Sequence, residues 1–410
     1  MNAEIIAAGS ELLTPARLDT NSLFLTARLN DLGIEVAAKA VVGDDVDRLS
    51  ATIRDAMARS EVVLVSGGLG PTEDDVTREA AARALGRGLH FRQDICDAIE
   101  ARFARMNRRM SEINRRQAYV IDGAEVLPNP NGTAPGLWIE EGARVIALLP
   151  GPPAELKPMF ESECLPRLRR IAPPAVIRTL CYRVAGMPES DLDQLISPVY
   201  RQYSNPVTTI LAAPGDIQIH LRARCGAEAE AEKLLEEVGR RIEERLGDKI
   251  YSRRGEPLEE VVGRRLRETG STLSVAESCT GGMLAERITS VPGNSDYFIG
   301  GFLVYTNQMK TRILSVDPAL LERHGAVSEA VAEAMACGAR ERTGSTFALS
   351  VTGVAGPAGG TEAKPVGTVV IGLAGPQQVR SWRSRFLGGR DRVRALSVQT
   401  ALDLLRRALA

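Results

Sequence analysis

From residue 1 to about residue 168 the sequence alternates short apolar runs with amphipathic stretches, and this alternation leaves few folds open. Ile5–Ala8, Val36–Val42, Val62–Ser66 and Val145–Leu149 read as buried strands, and Asn21–Leu32 and Asp45–Arg59 as amphipathic helices. A β-α-β alternation of this kind predicts a parallel sheet covered by helices. Such sheets bind ligands in the loops at the carboxyl ends of their strands. Three polar or Gly/Pro-rich loops fall there, Gly9–Thr20, Gly67–Thr77 and Pro128–Gly136, and a fourth, Pro150–Glu155, follows the last strand.

The chain has 410 residues, too many for one ordinary domain, so two or three are expected. Ile171-Ala-Pro-Pro174 reads as a linker, because paired prolines stiffen a chain and stop a helix. Beyond it come a strand (Val176–Val184), a helix (Glu189–Tyr203), two strands (Val207–Ala212 and Ile217–Arg222) and a charged helix (Glu228–Leu246). This small α+β module, residues 175–250, shows no catalytic constellation and reads as a spacer or dimerisation unit. Gly186-Met-Pro-Glu189 is a strand-to-helix turn within it. Ser252-Arg-Arg-Gly-Glu-Pro257 reads as a hinge, and from there to the end, residues 255–410, the layout is again α/β.

Composition excludes several classes of function. A net charge of −1 and an aromatic content of 4% offer neither a basic field nor a stacking platform for nucleic acid. One local basic cluster (Arg102, Arg105, Arg108, Arg109, Arg115, Arg116) is readable as a phosphate contact, a solvated helix face or a subunit contact. Six scattered cysteines include no Cys-x-x-Cys pair, which argues against a zinc ribbon or a dithiol redox site. The three histidines, at 90, 220 and 324, are far apart, so a histidine metal site or a Ser-His-Asp triad is not expected. No apolar run reaches membrane-spanning length and the N-terminus lacks a secretory pattern; a cytoplasmic protein with reduced thiols is the expectation.

The most informative stretch is Leu273-Ser-Val-Ala-Glu-Ser-Cys-Thr-Gly-Gly282. A buried strand is expected to end at Ser278 and a helix to begin within Thr280–Gly282. That places hydroxyls at a helix amino end, where free backbone N–H groups attract a phosphate or a developing oxyanion. Taken alone, Ser278 and Thr280 read equally well as helix caps. Downstream, Gly300-Gly-Phe-Leu-Val-Tyr305 is a strand, followed by Thr306-Asn-Gln-Met-Lys310. Lys310 can act as a general base if burial lowers its pKa, and Tyr305 lies where it can orient that amine or the substrate. A third loop, Val351-Thr-Gly-Val-Ala-Gly-Pro-Ala-Gly-Gly360, again ends a strand with threonine and glycines. Thr280, Gly281, Gly282, Thr352, Gly353 and Gly356 are the candidate substrate-binding residues. Arg390, Arg392 and Arg394, on the last helix, are candidates for holding an anion, or simply an exposed arginine face.

At the other end of the chain, Ser66-Gly-Gly-Leu-Gly-Pro-Thr-Glu-Asp-Asp-Val-Thr77 joins a strand to a helix without the lysine of a P-loop or the spacing of a dinucleotide fingerprint. Gly67, Gly68, Gly70 and Thr72 are candidates for cradling phosphate. Thr72 and Asp75 also read as a capping pair. Asp74 and Asp75, with Glu11, Asp19 and Glu155 on the adjacent loops, are the candidate ligands of a divalent cation bridging a pyrophosphate. Glu155 reads alternatively as a carboxylate favoured by a helix dipole.

Ala276-Glu-Ser-Cys-Thr-Gly-Gly282, Val304-Tyr-Thr-Asn-Gln-Met-Lys310, Gly325-Ala-Val-Ser328, Gly353-Val-Ala-Gly-Pro357 and Lys364-Pro-Val-Gly367 resemble the CinA C-terminal family of nicotinamide mononucleotide deamidases. The resemblance implies a Ser278 nucleophile, a catalytic Lys310, a supporting Tyr305 and no cofactor. Gly9-Ser-Glu-Leu-Leu13, Asp19-Thr-Asn21, Gly67–Asp75, Asn129–Gly136 and Leu149–Glu155 resemble the CinA N-terminal domain, which has the fold of the molybdopterin-binding proteins. It implies a three-layer α/β domain over residues 1–168 and ADP-ribose pyrophosphatase activity with Mg, Mn or Co, accompanied by a monovalent cation. The Gly-Asp-Glu start of related molybdopterin proteins reads Gly9-Ser10-Glu11 here, which argues against molybdopterin chemistry and removes one potential ligand. The implied partners are nicotinamide mononucleotide, ADP-ribose and a second copy of the chain; nucleic acid and membrane are not expected. The alternatives are a deamidase carrying a non-catalytic pterin- or nucleotide-binding domain, and a competence or DNA-damage accessory scaffold.

Overall fold

The computed structural model describes residues 1–409 and divides into two compact units. The first comprises Met1–Arg178 with Arg224–Glu232. Its six-stranded sheet runs in the order Glu35–Val42, Asn2–Ala8, Val62–Ser66, Arg144–Leu149, Gly136–Glu141, Glu125–Leu127. Alternate residues of the central strands feed two separate cores. Ile6, Val63 and Val65 pack with helices Val46–Arg59 and Thr77–Leu85, whereas Ile5, Val62 and Leu64 pack with Asn21–Asp31 and Pro153–Met159. The domain therefore has three layers.

The first four strands are parallel, as expected, but the last two are antiparallel. The connection Gly142–Ala143 is too short for a crossover and permits only a hairpin, with Gly142 at φ 63°. Val36–Val42 is not a buried strand either: it lies at the sheet edge with Ala37, Ala38, Lys39 and Val41 exposed.

A four-stranded central sheet has the order Val207–Ala213, Asp216–Cys225, Val176–Val184, Ile250–Ser252. Its helices are Glu189–Tyr200, three residues shorter than expected, and Glu228–Leu246. The second compact unit, Thr179–Ala223 with Lys233 onward, holds most of this module together with the C-terminal domain. Ser252–Pro257 is not a loose hinge. Ser252 Oγ accepts from the N–H groups of Arg254 and Glu256 and donates to the Glu256 carboxylate. Beside it, buried Arg406 bonds both Asp403 and the Asp248 carbonyl, and Ala185 and Tyr251 join the same core as Leu258 and Leu405.

The C-terminal sheet runs Phe298–Leu303, Leu273–Glu277, Phe347–Gly353, Thr368–Ala374, Val379–Arg385, with the first three strands parallel and the last two antiparallel. Leu273, Val275, Leu349 and Val351 face the helices Leu258–Glu268 and Arg390–Ala408. On the other face, Ala276, Ala348 and Ala374 let helix Glu329–Thr343 lie close, and at Gly372 a Cβ would stand 2.5 Å from the Ala332 carbonyl oxygen.

Candidate active sites

Strand Leu273–Glu277 ends one residue before Ser278, whose N–H donates to Val351 O (3.0 Å) on the neighbouring strand. The chain then turns through Gly281 and Gly282 (φ 62° and 94°), a conformation that side chains other than glycine's resist. Helix Met283–Thr289 follows, beginning just beyond the expected Thr280–Gly282. From the next parallel strand, Thr306 caps helix Asn307–Leu314 by accepting from Met309 N, and Lys310 lies on the buried side of that helix. Lys310 Nζ stands 3.0 Å from Ser278 Oγ, 3.0 Å from Val304 O and 3.3 Å from Tyr305 O.

Lys310 is 1% exposed, and burial pushes its amine below the ordinary lysine value. No carboxylate among the described residues bonds to it. A neutral amine has two N–H groups and one lone pair. As an ammonium Lys310 donates to Ser278 Oγ, Val304 O and Tyr305 O; in its neutral form, with the two carbonyls taking its N–H groups, the lone pair would be left for the Ser278 hydroxyl. The adjacent Cys279 is no rival nucleophile, because burial pushes its thiol up to about 11. Tyr305 contributes its carbonyl to the amine, while its ring is exposed and its hydroxyl lies 3.4 Å from Arg390 Nη2.

The helix amino end is not the open anion site that its sequence advertises. The buried Glu277 carboxylate accepts from Gly282 N (3.1 Å), Leu284 N (3.0 Å) and Ala285 N (2.9 Å), and Gly281 N donates to Ser278 O. Among the described residues, the N–H groups of Cys279 and Thr280, directly after the serine, donate to no carbonyl or carboxylate of another residue, and that of Cys279 meets its own thiol. Thr280 Oγ1 is buried without a partner, and the Thr280 carbonyl accepts from Arg394 at 2.6 and 3.2 Å. Arg390 donates to Gly356 O at 2.8 Å. Arg390 and Arg394 thus reach the site loops, whereas Arg392 packs its stem against Gly388. Thr352 is buried and bonds Ala326 O, bracing the Gly325–Ser328 turn, and Gly353 lies where a Cβ would meet Thr368 O.

In the first unit the loops Gly9–Thr20, Gly67–Thr77 and Pro150–Glu155, with Thr133 and Ala134, line one cleft of about 720 Å³. Glu11, Asp19, Asp74, Asp75 and Glu155 all reach its wall, joined by Asp44, and among the described residues Arg17 is the only basic one lining it. Several of these carboxylates already have structural work. Asp75 accepts from Gly70 N, Thr72 N and Thr72 Oγ1, so the Thr72–Asp75 pair closes the loop and does not cap a helix; helix Thr77–Leu85 begins after Val76 without a side-chain cap. Asp19 accepts from Ser22 N, and Glu155 from Asn129 Nδ2. Asp44 and Ser10 exchange hydrogen bonds, at 2.8 and 3.0 Å. Gly67 and Gly68 serve internal packing: a Cβ would stand 2.2 Å from Ala8 O at the first and 2.2 Å from Thr77 Oγ1 at the second. Buried Arg78 braces the loop from behind by donating to Leu69 O and Gly70 O.

Among the described residues no three His, Cys, Asp or Glu side chains converge as a ready-made metal cage. The cleft nonetheless fits a hard cation. Its donors are carboxylate oxygens, and Asn21 Oδ1 is buried in the wall with no partner. Magnesium-type ions are commonly held by one or two carboxylates together with substrate phosphates, which needs no preformed cage. Asp74 is exposed, whereas Asp75 is spent on the loop. Asp74→Asn is therefore expected to weaken cation-dependent chemistry without changing thermal stability, and Asp75→Asn to lower both, as a melting curve beside an activity assay would report.

Glu277, Asp44 and Arg78 were not among the residues expected from sequence. The available signal for Glu277 was an acid inside an otherwise apolar strand just before two glycines and a helix, a place where a carboxylate can meet free amides.

Fold and sites together define a protein of two α/β domains and a small α+β module, one α/β domain presenting a buried serine–lysine pair. The chain belongs to the CinA family. The CinA C-terminal domain matches residues 255–409, a probable molybdopterin binding domain residues 4–170, and the damage-inducible protein CinA KH domain residues 179–252. The chain is 60% identical over its whole length to a CinA-like protein of Solibacter usitatus, covering 98% of that protein. It is 50% identical to one of Koribacter versatilis, with both chains covered completely. Among solved structures it resembles a competence-damaged protein (CinA) superfamily protein from Escherichia coli (38% identity, 37% of this chain, 88% of that chain, TM-score 0.36). It also resembles the protein CinA from Thermoplasma acidophilum (32% identity, 40% of this chain, 96% of that chain, TM-score 0.37). No helix among the described residues is long and apolar enough to cross a membrane.

Proposed function

We propose that the C-terminal domain hydrolyses the carboxamide of nicotinamide mononucleotide to nicotinate mononucleotide and ammonia. The observation that carries this reading is the buried Lys310 amine, 3.0 Å from Ser278 Oγ and, among the described residues, free of any acidic partner. Ser278 gives its proton to Lys310 as its oxygen attacks the amide carbon. The oxyanion is met by the N–H groups of Cys279 and Thr280, the residue after a nucleophile being a common oxyanion donor. The Lys310 ammonium then protonates the departing nitrogen, so ammonia leaves and an ester on Ser278 remains. Water, deprotonated by Lys310, cleaves that ester and restores the hydroxyl.

A second activity has its own observation in the carboxylate-rich cleft of the first unit. Six acidic residues line it, so a pyrophosphate would be repelled unless a cation intervened. Glu11, Asp19 and Asp74 line that cleft with Asn21, Asp44 and Glu155, and one or two of these carboxylates together with the substrate's phosphates would hold a divalent ion. Bound there, the ion would neutralise phosphate charge and polarise the phosphorus. This supports metal-dependent cleavage of ADP-ribose.

Incubating the purified chain with nicotinamide mononucleotide, and separately with ADP-ribose plus Mg, Mn or Co, tests both readings. Chelator is expected to abolish ADP-ribose cleavage and to leave ammonia release unchanged. Loss of ammonia release on chelation from a protein that stays folded would contradict the serine–lysine mechanism. A protein that binds nucleotides but cleaves neither would be a binding module or scaffold.

A further inference from the structure

We propose that Glu277 is the positioning residue of the serine site, holding the Ser278–Thr280 turn in reactive geometry by filling the amino end of helix Met283–Thr289 with its own carboxylate. This inference rests on the amide-hydrolase reading of Ser278.

Glu277 is 2% exposed, an unusual place for a carboxylate unless its oxygens are fully engaged. Here one oxygen accepts from Gly282 N and Leu284 N and the other from Ala285 N. These three bonds reach across the two left-handed glycines and tie the end of the strand to the first turn of the helix. Ser278, Cys279 and Thr280 lie inside the loop so closed. With the helix amides spent, the Cys279 and Thr280 N–H groups are left for an oxyanion.

The backbone of Glu277 anchors the other half of the site. Its carbonyl accepts from Val304 N at 2.9 Å, and the Val304 carbonyl in turn accepts from Lys310 Nζ. One residue therefore sets both the nucleophile's turn and the strand end that carries the base's acceptor. The direction of the carboxylate matters equally. A carboxylate in contact with Lys310 would hold the amine protonated and remove its lone pair from Ser278. Aimed at the helix amides, the charge is balanced by backbone dipoles instead. Glutamine cannot substitute, because its NH2 would face an N–H donor where the structure needs an acceptor. Aspartate is one methylene too short to reach the same amides.

The test compares full-length wild type, Glu277→Gln and Ser278→Ala, using an arylsulfonyl fluoride as a probe of serine reactivity beside steady-state turnover of nicotinamide mononucleotide. Glu277→Gln is expected to take up a full equivalent of label at saturation, which shows it folded, but about 10²-fold more slowly, the scale on which small misplacements cost rate. Turnover should fall alongside in kcat with KM little changed, and the pH midpoint should not move, because the Glu277 carboxylate bonds to helix amides and not to Lys310. Should Glu277→Gln be insoluble, Glu277→Asp answers the same question. Wild-type labelling and kcat in a folded variant, a loss confined to KM, or a pH midpoint displaced downward would each overturn the proposal. Wild-type protein that labels at Ser278 yet releases no ammonia from nicotinamide mononucleotide would overturn the substrate reading alone. The Glu277 comparison would then stand on labelling rates. Wild-type protein that takes no label at Ser278 would overturn both.

Discussion

Ser278→Ala is expected to lower ammonia release from nicotinamide mononucleotide by at least ~10³-fold while leaving ADP-ribose cleavage untouched. The size follows from what is lost. Without the oxygen there is no covalent intermediate, and the remaining N–H groups and binding contacts supply only a residual rate. A serine that merely caps a helix behaves differently, costing about 1 kcal/mol of stability and nothing in chemistry. Ser278 does not cap helix Met283–Thr289; Glu277 occupies its first amides. The alanine variant forfeits one hydrogen bond to Lys310, on the order of 1 kcal/mol, so its melting temperature should change little. Calorimetry and a coupled ammonia assay on the same preparation separate the two roles.

Lys310→Met is expected to cost a comparable factor in rate, and the double variant should be scarcely worse than either single one, because nucleophile and base act as one unit. Its pH behaviour carries a sign that can be worked out. Burial lowers the folded-state pKa of Lys310 below the value of about 10.5 it has when unfolded. Activity should therefore rise with pH through that lowered pKa, as the amine becomes neutral, with a midpoint below the ordinary lysine range. Stability runs in the same direction. Between the folded and unfolded pKa values the unfolded chain binds more protons, so wild-type stability increases with pH across that window. Below the folded pKa, the buried ammonium costs its full desolvation penalty. Lys310→Met removes that penalty at nearly constant volume, so its stability relative to wild type should be greatest at low pH and decline as pH rises through the window. Denaturant melts of both proteins across pH measure this directly. A pH-independent difference would mean that the amine is not desolvated.

What could be read from the sequence was what local pattern carries. Val62–Ser66 and the amphipathic Val46–Arg59, with Asp45 capping its first turn, have periodicities that tertiary packing does not override. Ser278 and Lys310 were legible because each sits where a parallel strand gives way to a helix, the place such folds put their chemistry. The antiparallel strands were missed because a hairpin such as Glu141–Arg144 differs from a crossover only in the length of its loop. Which groups the glycine-rich loops would face was also not legible. Local sequence shows that Gly67–Gly70 can turn, but not that Ala8, Thr77 and Asp75 fill the space that a phosphate was expected to take. Glu277 belongs to the same class: its function depends on amides five to eight residues away being in reach, a property of the folded turn and not of the residue.

The central claim, that amide hydrolysis passes through an ester on Ser278, is tested most directly by adding hydroxylamine during turnover of nicotinamide mononucleotide. An ester intermediate partitions between water and hydroxylamine, so the hydroxamate of nicotinate mononucleotide should appear in proportion to hydroxylamine concentration. With Ser278→Ala no hydroxamate should form and the acid should appear only at the residual rate. Formation of the acid alone at every hydroxylamine concentration, at an undiminished rate of ammonia release, would contradict the account and point to direct attack by water.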